Sequence, residues 1–557
     1  MEYINYQYVT ETNRRDVSGF IGEALIKLQN AQRMYPDLIM DVVNSGNLSR
    51  QIDLTLVEKQ GNSRIDGTPL SSSAGAYFFN EEVLGGTREK QVIRYINSLG
   101  GMICDWQSQQ TKLKLGPGIG LIEAPPLYRK LAYMGVKNPN LTVNYSGPSG
   151  TAEAKRGIKT IMDSRIDPEG DFFPEDGVFV TEGATEGIDL FMEALATLAP
   201  QSRVVFLGLS YYTGPYSAAQ KGLKVDRLVT NPVEINGNTR FFPSAQEIEK
   251  SLPIDTKALV ITIPNNPNGE TYKDQDLAEI IGMAKEKGIY ILFDGIFENM
   301  YFDDEENYRS RILQIAAEQG ALEKVVVVDS LSKTRNFAGK RLGFLASADR
   351  EMVDTITNIV LSRRCNPPLT VGPLLSFEGL ARKVKALRKN TPNIPLERIV
   401  EYAFGEEDYA FSKNSFITMF QEWNAWDTQV LEYYKGNLQI VKALLANSSS
   451  GWSPDEAAFN TFVRSAKPGS DINSMDFLAK LMFTLGTYTQ VGPCFGISQK
   501  TWDNELGIWT RISYACSRRD LIEALTRLVI FTQFYQEKNF GDPNKFPVLQ
   551  MRFDKQI

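Results

Sequence analysis

Between Val178 and Ser347, short runs rich in β-branched residues alternate with segments of helical periodicity, and that alternation limits the fold more than any other feature of the chain. The runs are GVFVTEG, RVVFLGLS, ALVITIP, IYILFDGIF, KVVVVDSLS and RLGFLAS. Between them lie ATEGIDLFMEALATLA and KDQDLAEIIGMAKEKG, the second apolar at Leu277, Ile280, Ile281 and Ala284, and each is followed by a glycine or proline stop. Strand and helix in strict turn predict βα units around a mainly parallel sheet. At 557 residues the chain exceeds what one core accommodates, so at least two domains are expected.

Composition excludes more than it selects. An apolar share of 42% and a charged share of 23% fit a soluble globular chain. A net charge of -7 gives no electrostatic footprint for nucleic acid, although a local basic patch for an anionic ligand stays open. The opening residues MEYINYQYVTETNRRD lack the basic-then-apolar order of a secretion signal, and no apolar run reaches the roughly 18 residues a membrane span requires. A cytoplasmic location is expected by default. Cys104, Cys365, Cys494 and Cys516 are far apart, without metal or disulfide spacing, and read as structural thiols. Histidine is absent altogether, which removes the usual general base, the Ser-His and Cys-His nucleophile pairs and the commonest metal ligand. No metal site is expected. Proton transfer then falls to Lys, Tyr, Asp, Glu, a cofactor or water.

Four local patterns carry candidate chemistry. Ser330-Leu331-Ser332-Lys333 directly follows the strand-like KVVVVD, and Arg341 comes eight residues after Lys333. A lysine at the carboxyl end of a parallel strand sits where open α/β sheets hold ligands, and partial desolvation there favours a nucleophilic amine. Ser330 and Arg341 could share one phosphate. Asp294 ends a second apolar run, either as a turn or helix-capping acid or as a buried carboxylate beside a pyridine nitrogen. Asn265-Asn266-Pro267-Asn268-Gly269 follows a third run and reads either as an ordinary turn or as the carrier of an amide donor. Gly183-Ala184-Thr185 joins a strand to a helix, where backbone amides and the helix dipole attract an anion.

In this order and spacing the four patterns resemble the fold-type-I, pyridoxal-5'-phosphate-dependent class I and II aminotransferases, over roughly residues 115 to 535. The resemblance implies an α/β fold: a large domain with a mainly parallel seven-stranded sheet, and a smaller α+β domain built from both chain ends. Residues 1–114 are expected to be an extension of helix and loop contributing to the small domain. Residues 115–347 would form the cofactor-binding domain, and 348–557 the carboxyl-terminal small domain with a helical insertion at about 366–447. That insertion, which includes TQVLEYYKGNLQIVKALLA, reads as a packing element or a substrate lid.

Residue by residue, the resemblance makes Lys333 the Schiff-base lysine, Asp294 the partner of the pyridine nitrogen, and Asn266 the donor to the ring oxygen, also near the substrate. Gly183, Ala184, Thr185, Ser330 and Arg341 match the phosphate cup, and Tyr212, with Tyr211 as the alternative, the ring-stacking aromatic. Tyr145 resembles a tyrosine that reaches the phosphate across a homodimer interface, implying shared active sites. Arg511, in IWTRISYACSRRDLIEAL, resembles the clamp on the substrate α-carboxylate, its alternative being a surface charge on an edge strand. One position departs from the family: Phe297, three residues after Asp294, stands where a tyrosine usually reaches the ring oxygen. The implied activity is transamination of an L-amino acid to a keto acid through an external aldimine and a quinonoid. A lyase or decarboxylase, loosely resembling the aspartate β-decarboxylase-like branch, is the alternative that Phe297 and the added segments motivate. A regulator with a nucleic-acid-binding head lacks an evident basic recognition helix.

Overall fold

The computed structural model describes residues 113–537, apart from 117, 119, 121, 139–145, 231–232, 236–237, 303–310, 364–370, 446–448, 455–456, 471–472, 475–476, 479–480, 482–486 and 498–501. Two compact units divide the chain: Ile119–Lys435 with Ser453–Asn460, and Met1–Gly118 with Gly436–Trp452 and Thr461–Ile557.

The first unit is built on a seven-stranded sheet. Its strands are β1 (Val178–Thr181), β2 (Arg203–Leu207), β3 (Lys224–Leu228), β4 (Thr256–Thr262), β5 (Tyr290–Asp294), β6 (Val325–Ser330) and β7 (Gly343–Ser347). They lie in the order β1-β7-β6-β5-β4-β2-β3. Only β7 runs antiparallel, to β1 and β6, and the other neighbours are parallel. The mainly parallel α/β fold expected from the alternating runs is thus present. β3 was not among the six runs singled out, because its residues KVDRL are only partly buried at the sheet edge and form no apolar stretch.

Strand periodicity of two divides the core between the faces of this sheet. Val325 and Val327 of β6 join one apolar cluster, and Val326 and Val328 join the other. The first face is covered by α2 (Ala152–Ile166), α5 (Asp274–Lys287) and α8 (Gly372–Asn390), and the second by α3 (Ala184–Leu198) and α7 (Arg350–Arg363). Of the helices used below, α1 spans Pro126–Lys137, α4 Thr213–Gln220, α6 Leu331–Thr334 and α9 Lys413–Leu445.

The sheet-bearing unit is longer than the expected 115–347 stretch. Backbone meets backbone where α8 crosses α2: a Cβ on Gly157 would strike the Leu375 carbonyl, and one on Gly379 the Gly157 carbonyl. That close approach binds residues 372–390 to the sheet's own helical layer, so this part of the helical insertion is a packing element.

The second unit, in its described residues, holds a parallel pair, Leu113–Lys114 with Thr487–Tyr488, and a three-stranded sheet. Strands β8 (Asn460–Ala466), β9 (Gln490–Val491) and β10 (Ile508–Ser513) form that sheet with β10 in the middle. A long carboxyl-terminal helix, Arg518–Glu537, completes it. Among the described residues no helix is long and apolar enough to cross a membrane, and no acidic or sulfur cluster suits a metal ion.

Candidate active site

Parallel register brings distant residues to one end of the sheet. Thr262 at the end of β4 lies beside Asp294 at the end of β5, and Asp294 lies beside Val328 of β6. Two residues beyond Val328, Ser330 ends β6, and its Oγ accepts from the Ser332 amide at 3.2 Å, capping the short helix α6 that carries Lys333. The carboxyl ends of parallel strands are where open α/β sheets hold ligands.

Asp294 is nearly inaccessible to solvent, at 6% exposure. Burial pushes its carboxyl up to about 7, Asp329 adds to the rise, and the Ile296 amide, the Thr262 hydroxyl and the Lys333 ammonium oppose it. Oδ1 accepts from the Ile296 amide at 3.3 Å and Oδ2 from Thr262 Oγ1 at 3.4 Å. Asp294 ends β5 and Lys333 lies in the short helix that follows β6, so acid and amine are carried at the same end of adjoining strands.

A second group assembles where β1 enters α3. Gly183, at φ 82°, precedes the helix in a backbone conformation that suits glycine. A Cβ there would come within 2.7 Å of Arg341 Nη2, which itself donates to the Glu182 carbonyl at 2.9 Å. Gly343 opens β7 opposite both Thr181 and Ser330, and a Cβ on it would lie 2.5 Å from the Gly183 carbonyl carbon. Ser330, Gly343, Gly183 and Arg341 are therefore neighbours. Glu186 accepts from the Glu182 amide at 2.6 Å, and Ala184 and Thr185 are the first two residues of α3.

The Asn265–Gly269 loop closes on itself, the Gly269 amide donating to the Asn265 carbonyl at 2.9 Å. Asn265 Nδ2 donates to the Leu209 carbonyl at 3.0 Å, which ties the loop bearing Asn266 to the segment bearing Tyr211 and Tyr212. The two tyrosine rings lie 4.5 Å apart at 54°, and Tyr212 caps α4. Glu270, just past the loop, is buried with its carboxyl pushed up to about 7 and accepts from the Phe241 amide at 3.0 Å and the Phe242 amide at 3.2 Å. Phe297 is buried and meets Phe459 edge-on at 5.4 Å, an apolar contact.

Arg511 lies in the other unit, buried at the middle of β10 rather than on an edge strand as a surface charge. It donates to the Gly116 carbonyl and lies 5.1 Å from the Phe495 ring. Tyr145 lies outside the described residues. Thr262 and Asp329, which touch or influence Asp294, were not singled out in the sequence. Thr262 carried a readable signal, since it ends an apolar strand just as Asp294 does.

Residues 138–370 match the family described as aminotransferase class I and II. Over 208 residues the chain is 29% identical to the aspartate aminotransferase of Thermotoga maritima, a match covering 37% of this chain and 51% of that enzyme. Over 354 residues it is 25% identical to the aspartate aminotransferase of Pyrococcus horikoshii, covering 63% and 74%. The aromatic aminotransferase of Pyrococcus horikoshii has the same fold, with a TM-score of 0.59, 19% identity, 78% of this chain and 99% of that one covered. The chain spans about half the length of several curated relatives it matches.

Members of the aminotransferase class I and II family use pyridoxal phosphate, and the residues present fit that group. The guanidinium of Arg341 and the start of α3 meet at a glycine where any side chain would intrude, a donor set for a phosphate dianion. At the same sheet end a buried acid closes one strand and a lysine follows the end of the next. Gly183→Val is expected to displace Arg341 and to weaken the binding of pyridoxal phosphate about 10- to 100-fold, the worth of one charge-assisted hydrogen bond. Calorimetric titration checks this, and wild-type affinity in the folded variant would remove Gly183 from the site.

Proposed function

We propose that the protein is an aminotransferase that moves the amino group of an L-amino acid to a keto acid with pyridoxal phosphate. The observation that supports this reading is the placement of buried Asp294 at the end of one strand and of Lys333 just past the end of the next, with the Arg341 guanidinium at the helix start by Gly183. When bound, pyridoxal phosphate supplies an electron-accepting ring to the carbon that loses a proton.

The chain's own residues divide the remaining work. Lys333 Nζ would hold the cofactor, and as a free amine it would take the proton from the substrate α-carbon and return it. With no histidine in the chain, few other side chains can serve as that base. Asp294 would keep a proton on the cofactor's ring nitrogen, since a carboxylate stabilises the protonated form. Ala184, Thr185, Ser330 and Arg341 would hold the phosphate, Asn266 would donate to the ring oxygen, and Tyr212 would orient the ring. Arg511 is assigned to the substrate α-carboxylate on the strength of the resemblance and of guanidinium chemistry. A homodimer in the cytoplasm completes the reading, as the sequence leads one to expect.

The reading is tested by incubating the purified, cofactor-loaded protein with a panel of amino acids, with and without a keto-acid acceptor, and identifying the products by mass spectrometry. Keto-acid formation that depends on the acceptor is expected. Acceptor-independent release of carbon dioxide or ammonia would replace transamination with lyase chemistry.

A further inference from the structure

The turn that follows Lys333 is gripped by side chains from a helix far along the chain. The Asn336 amide donates to the Lys333 carbonyl at 3.4 Å, and Asn336 sits in the left-handed region at φ 51°, where asparagine is among the better tolerated residues. Its side chain meets the hydroxyl of Tyr434 on α9: Nδ2 donates to that oxygen at 2.9 Å, and Oδ1 lies 3.1 Å from it as an acceptor. Tyr434 is fully buried and packs 5.5 Å from Phe459, which in turn meets Phe297. On its other side Asn336 is pressed against Gly120, where even a methyl group would collide with its amide.

The neighbouring residue is held as firmly. Arg335 is 2% exposed and donates through Nε to Glu378 Oε1 at 3.1 Å. It also pairs with Asp427 and lies 4.6 Å from the Trp423 ring. Burial alone would raise the Glu378 carboxyl, yet Arg335 and Arg382 hold it down at about 2, so the ion pair keeps its charge across the working range. Trp423, Asp427 and Tyr434 all belong to α9, and Glu378 belongs to α8.

We propose that Tyr434 is a positioning residue for Lys333: through Asn336 it fixes the turn that aims the lysine amine, with the Arg335 ion pairs as the anchor. The helices between residues 372 and 435 then have a role in the chemistry besides packing. An amine that must both hold a cofactor and reach a substrate carbon loses rate steeply with small displacements, so its backbone needs a fixed support. The inference rests on the assignment of Lys333 made above.

The test compares wild type with Tyr434→Phe, Asn336→Gly and the double variant. Glycine keeps the left-handed turn accessible while removing the side chain, and phenylalanine removes a single hydroxyl. Each protein is loaded with pyridoxal phosphate and reduced with borohydride. The rate of phosphopyridoxyl labelling at Lys333 is read by peptide mass spectrometry, and the pH midpoint of the bound chromophore is read by absorbance. Each single variant is expected to label about tenfold more slowly, the factor matching one lost hydrogen bond, and to shift the midpoint. The double variant should be no worse than either single one, because both remove the same link. Wild-type labelling rates and midpoints in the single variants, a loss of thermal stability with an unmoved midpoint, or losses that multiply in the double variant would each overturn the positioning role. A wild type that takes no label at Lys333 would instead overturn the cofactor assignment itself, and the inference with it.

Discussion

Lys333→Ala protein is expected to take no borohydride-stable pyridoxyl label and to turn over roughly 10³- to 10⁴-fold more slowly than wild type, the upper part of what a positioned acid-base group contributes. The loss should be large because the usual general base is missing from the chain. The chain has no histidine, and Asp294, at the end of the adjoining strand, is assigned to hold a different proton. Lys333→Arg separates charge from chemistry: it keeps a cation beside Asp294 but offers no amine of usable basicity. If Lys333→Ala retained steady-state transamination, the lysine would be neither cofactor anchor nor base.

Asp294→Asn is expected to lower turnover about 10²- to 10³-fold, the usual effect of removing one preorganised electrostatic contact in a buried site. It should also change how the cofactor-free protein responds to pH. In the folded chain burial raises this carboxyl to about 7, whereas an unfolded aspartate titrates near 3.9. Between those values the folded state binds more protons than the unfolded one, so its stability declines as pH rises. The group's contribution is complete below about pH 4 and lost above about pH 7, a difference on the order of 4 kcal/mol. Urea unfolding at pH 5 and pH 8 should show a smaller difference in the variant than in wild type. Glu270, raised by burial to a similar value, leaves a residual slope in both. Equal slopes in the two proteins would mean that Asp294 is ionised throughout.

How much of this arrangement could be read in the sequence depended on where each partner lies. Asp294, Ser330 and Lys333 each close a recognisable apolar run, and Gly183 opens a recognisable helix, so local pattern was enough to single them out. Arg335 and Asn336 were passed over although they follow Lys333 directly. Their partners Asp427 and Tyr434 lie 92 and 98 residues away, and in sequence an arginine or a tyrosine on a helix looks the same whether it is buried or faces solvent. Strand β3 escaped for a different reason: a half-exposed edge strand need not be apolar. Residues 350–435 were expected beyond the large domain because nothing local announces that Gly157 and Gly379 let two helices meet backbone to backbone.

The two-faced strands have a consequence for recognising distant kin. Adding one residue inside β6 would send its valines to the opposite faces and carry the lysine away from its acid, so both solubility and chemistry would suffer at once. Lengthening the helices between strands costs far less. Diverged chains of this kind should therefore drift freely in the distances separating Asn266, Asp294 and Ser330, while the short steps from Ser330 to Lys333 and from Lys333 to Arg341 stay constant.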